Sequence, residues 1–199
     1  DVTVTLTVSI YDQNHTCIEE QRELVSLPYE KQVSPGLTDS SLYKVVTTVS
    51  LEDITIAQNE TGFLVISDEE LLPELKAFPP MYIDEEVSTD YCLVNGKITP
   101  ILGTTYFVTD VYRECFYYMN AWLCHKEMAQ LKEIGFNVLR TGNWVSFDAF
   151  YDSDGSISER GKRALQTYFL LAARNGFTVQ FALGNVMLNV WDKGASAIH

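Results

Sequence analysis

The sequence is poor in the side chains that build metal and redox sites. It has 4 cysteines and 3 histidines in 199 residues. Cys17, Cys92, Cys115 and Cys124 form no C-x-x-C pair, so the spacing does not indicate a zinc site. Cys124 and His125 are adjacent, but neighbours on a helix point in different directions, and a buried thiol is the expectation there. The sequence therefore predicts no metal and no cofactor.

Basic residues are also scarce. The chain has 14 Lys and Arg against 27 Asp and Glu, which gives a formal net charge of −13. Binding to nucleic acid relies on clustered Lys and Arg that neutralise phosphates, so a nucleic-acid partner is not expected. No apolar run approaches the ~20 residues that cross a bilayer, so no membrane-spanning helix is expected either.

The charge is unevenly distributed along the chain. Residues 1–90 hold 18 acidic and 4 basic side chains, whereas residues 91–199 hold 9 and 10. All three tryptophans lie in the second part. Two parts of such different composition predict two domains.

The acidic part has the pattern of β-strands. Val2, Val4, Leu6, Val8 and Ile10 alternate with Thr and Ser, which is typical of a half-buried strand. Further strand-like runs cover 23–27, 42–51 and 62–66, with turn residues between them. We therefore predict an immunoglobulin-like β-sandwich over 1–66, lacking some of its first strands. The charged, Pro-containing residues 67–90 are predicted to be a linker.

The second part alternates strand and helix. Asn95-Gly96 predicts a hairpin turn. Helices are predicted over 114–134 and from a capping-box pattern at Ser156 to about Arg174, each followed by a glycine and a buried strand. The segment around Gly135 recurs around Gly176, and such a repeat is typical of βα units in a parallel sheet.

Two architectures use repeated βα units, a (β/α)₈ barrel and an open doubly wound sheet. The loop after the first strand, 104–110, lacks G-x-G-x-x-G and a Walker lysine, which disfavours nucleotide binding. Residues 91–199 are too few for a closed barrel of ~250 residues. The favoured interpretation is therefore the first three βα units of an incomplete TIM barrel.

Polar and aromatic side chains follow the predicted strands. Ligands of parallel α/β folds meet the carboxyl ends of the strands. Amides satisfy sugar hydroxyls and aromatic rings stack on the apolar faces of sugars. The sequence therefore predicts a carbohydrate site at the carboxyl ends of the predicted strands. Its candidate residues are Tyr106, Arg140, Asn143, Trp144, Asn185 and Trp191.

Two motifs of the second part are similar to motifs of a known enzyme group. The run from Leu93-Val94-Asn95-Gly96-Lys97 to Tyr106 is similar to L-N-G-K-x-x-x-x-x-G-x-x-Y. The residues from Lys132 to Thr141 are similar to K-x-x-G-x-N-x-x-R-T. Both motifs resemble clan A glycoside hydrolases, most closely the family 2 arrangement of a sandwich followed by a barrel. The acidic stretch 67–90 and Gly142-Asn143-Trp144, where family 2 commonly has Ser-His-Tyr, depart from the family and leave family 5-like or 42-like enzymes open.

The resemblance implies a retaining hydrolase of O-glycosidic bonds in a poly- or oligosaccharide. Its two catalytic glutamates would follow barrel strands 4 and 7, and neither has a candidate here, so the chain is expected to be an inactive piece whose partner is the rest of the barrel. Arg140 would support the nucleophile, and the other five candidates would bind substrate. Enzymes of this architecture are commonly extracellular or periplasmic. The alternative is a complete, non-catalytic module that binds carbohydrate or protein.

Overall fold

The computed structural model describes residues 2–77, 80–142 and 150–182. The chain divides into two compact units. The first comprises Asp1–Ser67 with Ala121–Leu123, and the second comprises Asp68–Asn120 with Cys124–His199. Within the described ranges, no helix combines the length and the apolar character that a membrane span needs.

The first unit is built on a four-stranded antiparallel sheet in the order β2-β1-β3-β4. Its strands are β1 (Thr3–Tyr11), β2 (Cys17–Ser26), β3 (Ser41–Leu51) and β4 (Ile54–Val65). Asp12 closes the first turn, because its carboxylate accepts the main-chain N–H of Asn14 at 2.9 Å and of Thr16 at 2.8 Å. The sheet is consistent with the predicted sandwich-like domain.

Strand β4 is longer than the sequence indicated. We predicted a strand from Gly62, whereas β4 begins at Ile54. The missed half, residues 54–60, is exposed along its whole length. An edge strand that buries neither face shows no alternation of polar and apolar residues, so the pattern could not indicate it.

A segment without regular structure crosses the apolar face of this sheet. Residues 29–35 are held to β2, because the Lys31 ammonium lies 3.0 Å from the Glu23 carboxylate and the Tyr29 hydroxyl donates to the same carboxylate at 3.2 Å. Between the segment and the sheet lies a cavity of about 530 Å³, lined mainly by aliphatic side chains such as Leu6 and Val45.

The second unit begins in the stretch 67–90, where our expectation of an irregular linker was wrong. It contains α1 (Asp68–Lys76), β5 (Met81–Asp84) and the start of β6 (Ser88–Val94). Three acidic residues in the first turn of α1 and Lys76 in its last turn stabilise a helix through its dipole, despite Pro73. The charges at 68–70 and 76 that we took for linker composition are therefore helix-terminal charges.

The predicted hairpin after β6 is confirmed. β7 (Lys97–Ile98) pairs with β6 in the sheet order β5-β6-β7, and the turn residues Asn95 and Gly96 have φ of 52° and 72°. Both values lie in the left-handed region that a two-residue turn of this kind requires.

Three parallel strands follow, in the order β10-β9-β8. These are β8 (Gly103–Thr105), β9 (Val138–Gly142) and β10 (Thr178–Ala182), with α2 (Ala121–Glu133) and α3 (Glu159–Arg174) between them. Gly135 and Gly176 end the helices with φ of 96° and 70°. The predicted parallel pairing of successive strands is confirmed. That these units are the first three of an incomplete TIM barrel stays a prediction.

Both helices start later than predicted. Residues 115–118 precede α2 because Phe116 leaves the helical path to be fully buried, with its ring 5.4 Å from that of Tyr168 and 5.6 Å from that of Phe181. Helix α3 begins at Glu159, since the Ser158 hydroxyl, and not that of Ser156, caps it by accepting the Gly161 N–H at 3.1 Å.

Candidate functional site

Three polar side chains form a row across the parallel sheet. In the strand register, Thr105 of β8 pairs with Arg140 of β9, and Arg140 pairs with Gln180 of β10. All three are exposed. Because residues opposite one another in neighbouring strands share a face, the row places a hydroxyl, a guanidinium and an amide side by side near the carboxyl ends of the strands.

The row lies on the face of the sheet that points away from α3. Leu139 and Thr141, which flank Arg140 in β9, are fully buried. Phe181, which follows Gln180, lies with its ring 5.7 Å from that of Phe169 in α3. Since side chains alternate along a strand, Arg140 and Gln180 project from the opposite side.

Tyr106 continues β8 beside β9. Its main-chain N–H donates to the Arg140 carbonyl at 2.9 Å, but its side chain is only 6% exposed. The hydroxyl donates to the Glu127 carboxylate at 2.8 Å. Burial, and next the neighbouring Cys124, raise the Tyr106 pKa far above its usual range, so the phenol stays protonated.

Glu127 of α2 holds the loop after β8. Besides the Tyr106 hydroxyl, its carboxylate accepts the main-chain N–H of Thr109 at 3.3 Å and the Thr109 hydroxyl. A little further on, the Asn120 amide donates to the Asp110 carboxylate at 2.7 Å. These contacts fix the loop 106–110 at the end of the strand that bears Thr105.

The structure brings two of the six predicted site residues together. Arg140 and Tyr106 lie on neighbouring strands, joined through the main chain. Their predicted roles towards a sugar stay predictions, as do those of the other four residues, which lie outside the described ranges: Asn143, Trp144, Asn185 and Trp191.

The sequence reasoning missed Thr105, Gln180 and Glu127. Gln180 has the largest polar side chain in the mostly apolar stretch 177–183, and that irregularity was a usable signal. The contact of Glu127 depends on the path of a loop, for which the sequence carries no comparable signal. In the part of the chain that the structure describes, no group of three His, Cys, Asp or Glu could hold a metal ion.

The arrangement is suited to hydrogen bonding of oxygen-rich ligands. A guanidinium offers five N–H donors in a fixed plane, whereas an amide and a hydroxyl both donate and accept. Eight positions of the three strands lie on this face, and none carries a carboxylate: Gly103, Thr105, Val138, Arg140, Gly142, Thr178, Gln180 and Ala182. The described row can therefore bind and orient a ligand or a neighbouring carboxylate, but it has no general acid or nucleophile of its own.

No family model matches the sequence, and no curated protein matches it. A β-glucuronidase from Parabacteroides merdae is 20% identical, with a TM-score of 0.30 over 89% of this chain and 19% of that enzyme. A glycosyl hydrolase family 2 member from Bacteroides cellulosilyticus is 16% identical, with a TM-score of 0.30 over 94% of this chain and 27% of that protein. A β-glucuronidase from Bacteroides uniformis is 14% identical, with a TM-score of 0.33 over 89% of this chain and 19% of that enzyme.

The chain thus spans between 19% and 27% of the length of these enzymes.

Proposed function

We propose that the chain is part of a retaining glycoside hydrolase that acts on O-glycosidic bonds of a poly- or oligosaccharide. The observation that supports this most is the position of Arg140. It falls in the motif that resembles the family's second barrel strand. It lies two residues before the carboxyl end of β9, the middle one of three parallel strands, between Thr105 and Gln180. Ligands of parallel α/β folds bind at this end of the strands.

In this proposal Arg140 acts on the nucleophile through its charge. Retaining hydrolysis uses two carboxyl groups ~5–5.5 Å apart, one as acid and one as nucleophile. A guanidinium close to the nucleophile favours its ionised form and lowers its pKa. The two glutamates would come from later barrel strands, so the chain by itself would not hydrolyse a glycoside.

The remaining candidates would bind the sugar. Asn143 and Asn185 would satisfy hydroxyls, and Trp144 and Trp191 would stack on apolar sugar faces. Tyr106, whose hydroxyl is held by Glu127, would contribute through the position of its loop. The partner would be carbohydrate, together with the rest of the barrel, in an extracellular or periplasmic compartment.

The proposal is tested with the 199-residue chain and an oligosaccharide panel. Aryl glycosides should not be turned over. In an NMR titration, an oligosaccharide should shift the signals of Asn143 and Asn185, and Trp144→Ala should weaken its binding at least tenfold, whereas Arg163→Ala on the exposed side of α3 should not. Turnover by the chain alone, or binding of no oligosaccharide, would contradict the proposal.

A non-catalytic binding module is the second candidate. It is favoured by the absence of a carboxylate from the eight strand positions on the face of the parallel sheet that bears Arg140. The full-length gene product distinguishes the two. Hydrolysis of a bound oligosaccharide would support the hydrolase, whereas binding without hydrolysis would support the module.

A further inference from the structure

Besides the cavity of the first unit, the structure has a cavity in the second unit. It lies at the opposite end of the parallel strands from the Thr105–Arg140–Gln180 row. It has a volume of about 700 Å³ and reaches Asn137, which precedes β9, and Thr178, which begins β10. Its apolar wall comes from Ala77, Met81, Val94 and Ala173. A cavity of this size, mostly apolar with a few polar groups, is typical of a small-molecule site.

The charged residues that line the cavity are mostly basic. They are Lys97, Lys132 and Arg174, against one carboxylate among the described lining residues, that of Glu74. This is unusual in a chain with a formal net charge of −13. The local excess of positive charge indicates which ligands the cavity can attract.

Arg174 already holds the carboxylate of Glu74. The guanidinium donates to both oxygens, at 2.8 Å and 2.8 Å. This hydrogen bond lowers the Glu74 pKa below its usual range, so the carboxylate stays ionised and matched to Arg174. No further lining carboxylate of the described residues is left for Lys97 and Lys132.

The side chain of Lys132 is held in one direction, but its ammonium group still has hydrogen-bond donors to offer. Its ammonium donates to the Gly176 carbonyl at 2.8 Å and lies 5.3 Å from the centre of the Phe177 ring. An ammonium has three donors, so one protein hydrogen bond leaves two for a ligand.

The carbonyls at the end of α3 do not compete for these donors. Those of Leu171, Ala172 and Ala173 accept main-chain N–H groups of the turn, from Asn175 at 3.1 Å, Phe177 at 2.9 Å and Gly176 at 2.9 Å. Hydrogen bonds within the turn therefore satisfy these three carbonyls, which leaves the remaining donors of the lysine ammonium groups open to a ligand.

We propose that this cavity is a binding site for a small anion that carries carboxylate or phosphate oxygens on a compact body. Lys97 and Lys132 bind the anionic oxygens, the Glu74–Arg174 pair shapes the wall, and the apolar residues contact the body of the ligand. The site lies away from the proposed sugar site and does not depend on it.

The test uses the 199-residue chain with citrate, inorganic phosphate and neutral sorbitol as probes, by calorimetry and by NMR of the main-chain amides. Citrate or phosphate should bind with a Kd of about 1 mM or tighter and should shift the amides of Lys132 and Gly176. Binding should weaken as NaCl is added, since salt screens exposed charges. The stronger of the two anions identifies the ligand as a carboxylate or a phosphate.

Lys97→Met and Lys132→Met should each weaken binding at least tenfold. Lys97 lies in an exposed hairpin, so its variant keeps the test decisive if Lys132→Met disturbs the fold. Lys126→Met is the matched control, because Lys126 is an exposed lysine of α2 that does not line the cavity. The proposal fails if neither anion shifts the amides, if sorbitol binds equally well, or if Lys126→Met has the same effect.

Discussion

Replacing Glu127 by Ala should destabilise the second unit by about 1–3 kcal/mol. A hydrogen bond to a charged group contributes about 1.5–3 kcal/mol, and the one from the buried Tyr106 hydroxyl at 2.8 Å is of this kind. The Thr109 contacts are exposed and add little. In the variant the Tyr106 hydroxyl can still reach the Cys124 carbonyl, now 3.4 Å away, which moves the expected cost to the lower part of the range.

The assay combines urea unfolding with amide hydrogen exchange. The Thr109 amide should lose protection in Glu127→Ala because its acceptor is gone, whereas the Tyr106 amide, bonded to the Arg140 carbonyl, should keep it. Glu127→Gln should recover part of the stability, and Glu133→Ala, at the exposed end of α2, should change it little. An unchanged urea midpoint together with unchanged Thr109 exchange would refute the role of Glu127.

Three further predictions concern the second unit. Burial, and next the charge of Arg174, lower the pKa of His125 below its ordinary value of 6.5. The unfolded chain therefore binds a proton at His125 more readily than the folded chain does. As a result, the free energy of unfolding should decrease as the pH falls below about 6.5. His125→Asn should flatten that dependence in pH-dependent urea unfolding, and an NMR pKa above 6.5 would contradict it. Asn137→Ala should cost about 1–2 kcal/mol, because the Asn137 amide oxygen accepts the Leu102 N–H at 2.9 Å and its amide nitrogen donates to the Pro100 carbonyl at 2.7 Å. Asn137→Asp should recover little of this loss in the same assay, because a carboxylate oxygen would then face the Pro100 carbonyl, and full recovery would contradict the role of that second bond. Ser158→Ala should cost about 1 kcal/mol through the lost helix cap, and a loss as large in Ser158→Asp would argue against capping.

The parallel sheet was predictable because its signals are local. Gly135 and Gly176 each end a helix in a conformation that side chains disfavour, and a buried strand follows each of them. The hairpin at Asn95-Gly96 was predictable for the same reason. In each case the information lies within a few residues of the feature it determines.

Other features depend on distant contacts that a local pattern does not contain. Phe116 has helical spacing with later residues, but burial against Tyr168 and Phe181 draws it out of α2. Helix α1 contains Pro73, and its sequence alone indicated a linker. The Thr105–Arg140–Gln180 row depends on strand register, so only Arg140, which also lies in a motif, was found beforehand.

Helix α1 has little buried surface in the second unit. It buries Leu71 alone among its residues and is tied to α3 by the exposed Glu74–Arg174 pair. Exposed ion pairs weaken with salt, so α1 should open locally before the rest of the unit unfolds. Glu74 and Ala77 belong to the wall of the 700 Å³ cavity, so opening of α1 would open that wall. The salt concentration around the protein would therefore control access to the cavity without any change in its residues.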